Sequence, residues 1–310
     1  MRSRWALAAL VALAIVATGC DYIVPPFDDS TPTPAIPSQG WAGIVTNVTD
    51  ANGSLHVDLS IVNKTGDWSA MNVATSKAKV TDSSGKSTDC GKVFVGTSTF
   101  TNGSGWFLPA GFVMKGYTTG DMSAPKTQLL YVECAGVTKA QASKVAISYS
   151  YIYGAFNYFV ASQVFTDTLN LDLSKVVTDV KYPIADSLPS VKIAKVGDPI
   201  VGINQVTVTL KTVTRSDTGL QMDWQTDNPS KSFAYVHIGI PPVIGADGIL
   251  YGPYQSPHLA DVPITLAGQS ATWSTTLAVP ASATGLYVLT PVETKQAKFF
   301  VDHVVDITDK

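Results

Sequence analysis

Few residues of this 310-residue chain have the types and spacing that chemistry needs. Its four histidines, His56, His237, His258 and His303, are scattered one to a segment. None has a second histidine at metal-ligand spacing, so a solvent-facing strand position is the simpler reading of each. Ser83-Ser84-Gly85-Lys86 and Ser123-Ala124-Pro125-Lys126 match S-x-x-K, and Lys64-Thr65-Gly66 matches K-T-G. The order is wrong for an acyl-enzyme site, S-D-N is missing, and Gly85 and Pro125 deny the helix that would present the serine. Neither a G-x-S-x-G elbow nor a glycine-rich phosphate loop occurs. The acidic pair Asp28-Asp29 sits among prolines, where no catalytic geometry is held rigid. Thiols remain: Cys20, Cys90 and Cys134. The expectation is a non-enzymatic protein with no cofactor and no metal. The alternative is an extracytoplasmic hydrolase with a site built from loops of the second half, around His258 and Asp261.

What surrounds Cys20 gives it a role. Arg2 and Arg4 supply two cations, and Trp5 to Val16 contains no polar residue. A membrane span needs about 20 apolar residues, so this shorter run reads as a secretory signal. The segment Ala17-Thr18-Gly19-Cys20 resembles the lipobox of bacterial lipoproteins, with Ala17 where leucine is usual. That resemblance implies a diacylglyceryl group on the Cys20 thiol, cleavage of residues 1–19, and retention on the extracytoplasmic face of the cell membrane. Each buried acyl CH₂ adds roughly 0.8 kcal/mol, so two or three chains anchor a soluble body durably. Asp21 resembles the inner-membrane retention signal of some Gram-negative lipoproteins. With Cys20 assigned to lipid, Cys90 and Cys134 are left as a pair, and an oxidising compartment favours a disulfide between them. Zinc is disfavoured, because neither a C-x-x-C nor a histidine pair accompanies them.

Of 21 basic and 24 acidic residues, processing removes Arg2 and Arg4, leaving 19 against 24 and a net charge near −5. That balance is not a nucleic-acid binder's. Residues 20–40 carry Pro25, Pro26, Pro32, Pro34 and Pro37, a density that resists helix and sheet and marks an extended tether. Beyond it the pattern has period two: Leu55, Val57, Leu59 and Ile61 alternate with His56, Asp58 and Ser60. Further strands are expected near 112–119, 128–133, 144–153 and 157–165, and one short helical turn at Thr138 to Lys144. The second half repeats the pattern at 204–214, 220–224, 232–240, 270–278, 285–290 and 296–305. The predicted fold class is all-β, with β-sandwich domains at 41–175 and 201–310 and a connection at 176–200. Four N-x-S/T sequons, at Asn47, Asn52, Asn63 and Asn102, read as turn residues rather than glycan sites in a bacterial chain.

The halves also align. Leu55 to Asn63 matches Leu220 to Asn228 at an offset of 165, and Pro109-Ala110-Gly111 matches Leu266-Ala267-Gly268 at 157. Leu129-Leu130-Tyr131 matches Leu286-Tyr287-Val288 at 157 as well, which suggests a duplicated domain. A strand ending in Asn, a strand running into an Asp-Gly turn, and an x-Ala-Gly turn opening a strand resemble the telokin-like immunoglobulin-fold domains common in bacterial lipoproteins. Lys195-Val196-Gly197-Asp198-Pro199-Ile200 is similar to the start of those domains. The resemblance implies a fold and a location, with no catalytic residues.

Two segments are candidates for binding an envelope protein or a glycan. Tyr149, Tyr151 and Tyr153 share one strand face, where an exposed aromatic row would stack on sugars or on a protein. A core position for that face is the competing reading. The second candidate is the long loop Ile244 to Pro263, with Tyr251, Tyr254 and His258.

Overall fold

The computed structural model describes residues 39–310 apart from 67–68, 73–77, 95–105, 120–124, 154–163, 185–191, 202–206, 218, 230–240, 253–264, 290–291, 294–298 and 301–302. Cys20 and the segments read above as a signal and a tether, up to residue 38, therefore lie outside the described residues. Of the described chain 62% is strand and none is helix, so the protein is all-β.

The first half begins with the hairpin β1 (Trp41–Ala51) and β2 (Ser54–Asn63), followed by β3 (Ser69–Asn72), β4 (Ala78–Asp82), β5 (Ser87–Asp89) and β6 (Lys92–Phe94). It continues with β7 (Trp106–Leu108), β8 (Val113–Met114), β9 (Gly116–Thr119) and β10 (Lys126–Leu129). Then come β11 (Tyr131–Ala135), β12 (Ala142–Tyr153) and β13 (Phe165–Asp172). In the second half are β14 (Lys192–Lys195), β15 (Pro199–Val201), β16 (Thr207–Arg215), β17 (Leu220–Asn228), β18 (Val243–Ile244) and β19 (Ile249–Tyr251). The last are β20 (Gln269–Leu277), β21 (Tyr287–Leu289), β22 (Val292–Glu293), β23 (Phe299–Phe300) and β24 (His303–Asp306).

One sheet of the first half runs β1-β2-β11-β6 with β8 beside β2, the other β5-β4-β12-β3-β7 with β13 beside β12. Both contribute to a single core, in which Leu55, Val57, Leu59 and Ile61 of β2 join Val80, Val145, Ile147 and Leu169. The alternation in β2 thus has its expected meaning: those four are at most 1% exposed, while His56 and Asp58 point the other way. The second half stacks the sheet β15-β16-β17-β20 on the strands of a seven-stranded sheet, β10-β9-β19-β18-β21-β24-β14. Val208, Leu210, Leu220, Met222 and Trp224 meet Val243, Val288 and Val305 in its core. That seven-stranded sheet draws β9 and β10 from the first half, so the halves are not separate beads. Part of the expected connection at 176–200 is strand, because Lys192 to Lys195 pair in parallel with His303 to Asp306. Instead of helix at Thr138 there is one turn, with Gln141 and Ala142 both donating to the Thr138 carbonyl.

The two halves share a pattern of hydrogen bonding. The β1–β2 ladder shifts register between Val45 and Asn47, opposite Leu59 and Asp58. The β16–β17 ladder shifts between Leu210 and Thr212, opposite Trp224 and Asp223, each residue 165 positions on. Asn63 accepts from the Gly111 amide at 2.9 Å, and Asn228 accepts from the Gly268 amide at 2.7 Å. Both glycines have positive φ, 83° and 71°, which side-chain-bearing residues resist, so glycine is required at the third position of each x-Ala-Gly turn. At the far end the Leu173 amide donates to Ser143 and the Ile307 amide to Leu286. In both places an Asp caps the next turn, Asp172 accepting from Ser174 N and Asp306 from Thr308 N. The two halves thus close their ends in the same way.

The repeated asparagine has a structural task. Asn63 is fully buried; its amide donates to the Leu108 carbonyl at 2.7 Å, and its side-chain oxygen accepts from Thr65 N and Oγ1 at 3.0 and 2.8 Å. Burial of this kind also removes its sequon from consideration as a glycan site. Each such bond contributes about 1 kcal/mol net, and unmaking one in the interior costs more than making it gained. Asn63→Ala is therefore expected to lower stability by about 2–3 kcal/mol in urea-induced unfolding; a loss under about 1 kcal/mol would show that the bond set is dispensable.

Candidate functional site

The thiols Cys90 and Cys134 are joined, with S–S 1.97 Å, across 44 residues of sequence. Cys90 follows β5 at the edge of one sheet, where its amide donates to the Ala78 carbonyl, and Cys134 lies in β11 of the opposite sheet. The bridge therefore staples the two layers of the first half together. It sits at the core boundary, for Cys134 is fully buried while Cys90 is half-buried.

The tyrosine row is interior. Tyr149 and Tyr151 are 3% and 5% exposed and belong to the first core, so the expectation that they offer an exposed aromatic face is corrected. The Tyr149 hydroxyl accepts from the Trp41 amide at 2.7 Å and lies 3.2 Å from an Asp167 carboxylate oxygen. Trp41 in turn donates its indole N–H to Ser69 Oγ at 2.8 Å. These bonds fix the point where the chain enters β1. Burial, aided by the Asp167 charge, pushes the Tyr149 hydroxyl above the usual phenol pKa, so it stays a neutral hydrogen-bonding group. Tyr151 packs between Tyr149 and Phe165, with ring centroids 5.6 and 5.4 Å away. Tyr251 is buried too, in the second core, where its hydroxyl meets Asp247 Oδ2 at 2.5 Å. The side chain of Tyr153 and all of Tyr254, His258 and Asp261 lie outside the described residues.

What the outer faces carry instead is a matched pair of polar clusters. On the first half, Asp58 Oδ2 accepts from Asn47 Nδ2 at 3.0 Å and Asp58 Oδ1 meets His56 Nε2 at 3.0 Å. The His56 ring stacks on Tyr131 with centroids 4.7 Å apart. On the second half, Asp223 occupies the position of Asp58, with Thr212 for Asn47 and Gln221 for His56. Its carboxylate accepts from Thr212 Oγ1 at 2.5 Å, Ser274 Oγ at 2.6 Å and Gln221 Nε2 at 3.1 Å. Those donors, Ser274 foremost, hold Asp223 below the usual carboxylate pKa. Each carboxylate is thereby pinned in one orientation on a solvent-facing strand. The alternation in β2 and β17 places these residues outward, but which of them bond across strands depends on the bulge, which the sequence does not show.

Among the described residues no three His, Cys, Asp or Glu side chains assemble as metal ligands. Neither a family model nor a curated protein matches the chain.

Proposed function

We propose that this chain is a bacterial lipoprotein anchored through lipid on Cys20, non-enzymatic, which holds an immunoglobulin-like β-sandwich body off the membrane and presents it to an envelope protein or glycan. The observation that carries the reading is thiol arithmetic. Cys90 and Cys134 consume each other in a disulfide, which suits an exported protein. Cys20 then remains as the single unpaired cysteine, at the end of an apolar run and before a proline-rich spacer. The outward clusters around Asp58 and Asp223 are the polar surface such a spacer would display. The likeness of the turns to telokin-like domains supports the same location.

The parent chain and Cys20→Ser, both expressed in a bacterial host, distinguish the outcomes. The parent is expected to partition into detergent, with an intact mass that begins at Cys20 and includes two or three acyl chains. The variant is expected in the aqueous phase. Aqueous partitioning of both would sink the anchor. Cross-linking of the lipidated protein in its own membrane tests the other half of the proposal: adducts with envelope protein or glycan support presentation, and a complete lack of adducts reduces the protein to a spacer.

A further inference from the structure

The two halves differ where one strand is continuous in the second and interrupted in the first. In the second half β20 runs unbroken along β17, from Gln269 opposite Asn228 to Leu277 opposite Leu220. In the first half the corresponding strand is cut in two. Its opening piece is β8, with Val113 opposite Val62 and Met114 opposite Ile61. Its closing piece is β11, with Tyr131 opposite Asp58 and Cys134 opposite Leu55. Between them the register is kept, because the Leu59 amide donates to the Leu130 carbonyl at 3.1 Å. Lys115 and Leu130 are bound to each other, the Leu130 amide donating to the Lys115 carbonyl at 2.9 Å. The chain thus leaves the sheet at Lys115 and returns at Leu130, in the places that Thr272 and Trp273 take in β20, and its described strands between those points are β9 and β10.

The excursion reaches the other half. Its strand β9 pairs in parallel with β19, Gly116 opposite Ile249 and Tyr117 opposite Leu250, and antiparallel with β10. The Lys115 amide donates to the Gly248 carbonyl at 2.9 Å. Tyr117, 2% exposed, joins Ile244 and Leu250 of the second half in the first half's core. The approach is close enough that a Cβ on Gly116 would stand 2.7 Å from the Gln128 carbonyl oxygen and 3.0 Å from Ile249 Cδ1. The connecting segment reinforces the place, since Tyr182 bonds Ser60 at 2.5 Å and lies under the Lys115 ammonium, 5.5 Å from its ring centroid.

We propose that the hairpin carrying β9 and β10 is the principal strap between the two halves, adding strand pairing to the apolar contacts that Ile244, Leu250, Leu289 and Val304 make in the first half's core, and so couples them into one cooperative body. Without it each copy keeps its own closing hydrogen bonds, and the second copy, which has no such hairpin, shows that the interrupted strand can run straight.

Excision of residues 116–129, which joins Lys115 directly to Leu130, preserves the pairing of Met114 with Ile61 and of Tyr131 with Asp58. The parent is expected to unfold in one calorimetric transition with a calorimetric-to-van't Hoff enthalpy ratio near one. The excised chain is expected to retain its β-sheet circular dichroism, unfold in two transitions and show a larger radius of gyration by small-angle scattering. A single transition in the folded, excised chain overturns the proposal. Should that chain fail to fold, native-state hydrogen exchange on the unaltered protein decides: the most protected amides of β2 and β17 are expected to open with one common free energy, and distinct opening energies overturn the coupling.

Discussion

Trp224→Ala is expected to cost the protein about 3–5 kcal/mol, the range for emptying a fully buried aromatic site. Trp224 is 1% exposed, stacks on Trp273 at 5.3 Å and 8°, and donates its indole N–H to Thr275 Oγ1 at 3.2 Å. Thr275 is itself 7% exposed, so the substitution removes both ring area and the partner of a buried hydroxyl. The likeness of the two halves supplies an internal control. The first half places Leu59 and Leu130 where the second places Trp224 and Trp273. Trp224→Leu, the residue used by the other copy, keeps an apolar filler and is expected to lose roughly half as much, by the same dependence on residual cavity. Urea unfolding followed by tryptophan fluorescence and by circular dichroism measures both. Equal losses for Ala and Leu would mean that the hydrogen bond to Thr275, and not the packing, is what matters there.

Much of this fold is legible in the residues, and the places where it is not have physical causes. Alternation identifies β17 and β20 because each buries one face and wets the other, and it identifies β2 and β16 over part of their length, since β2 is buried on both faces from Leu59 to Asn63 and β16 from Val208 to Leu210. It does not by itself say which face is buried. Tyr149 and Tyr151 were readable as an exposed row, yet they share parity with Val145 and Ile147, both fully buried, and that continuity places them inside. The tandem offsets at Asn63 and at the Ala-Gly turn correspond to real equivalences. The third match does not: Tyr131 lies opposite Asp58, as Ser274 lies opposite Asp223, whereas Val288, matched to Tyr131 at that offset, pairs with Val243 in another sheet. Local composition aligned those blocks, and the intervening hairpin at 116–129 displaced the true register. Divergence hides other equivalences altogether. Asp50 accepts from the Lys139 amide at 2.6 Å, while Arg215, its counterpart opposite Leu220, donates to the Pro280 and Ala281 carbonyls at 3.0 and 3.1 Å. An acid and a base secure the same turn from the same hairpin position, so residue identity conceals the shared role. The polar clusters at Asp58 and Asp223 were unreadable for a related reason, since their partners are set by a bulge rather than by spacing.

Loss of the Cys90–Cys134 bridge is expected to lower stability by about 3–4 kcal/mol, because the closed segment is long and the unfolded chain regains much entropy on its release. The site offers a way to separate that entropy from packing. Cys134 faces Leu55 from β11, and the corresponding place in β20 holds Leu277, 1% exposed, facing Leu220. A leucine therefore fits this type of position. Cys90→Ala with Cys134→Ala loses both cross-link and filler; Cys90→Ala with Cys134→Leu loses the cross-link and retains an apolar side chain. The first is expected to be the less stable by about 1 kcal/mol or more, the scale of deleted buried methylenes. Dithiothreitol should shift the unfolding midpoint of the unaltered protein toward that of the leucine variant and leave both variants unmoved. Coincident midpoints for the oxidised and reduced parent would show that the bridge contributes nothing, and would remove the main structural support for an oxidising compartment. A full shift would instead make the folded body depend on oxidation, and so tie its stability to the side of the membrane on which Cys20 is proposed to hold it.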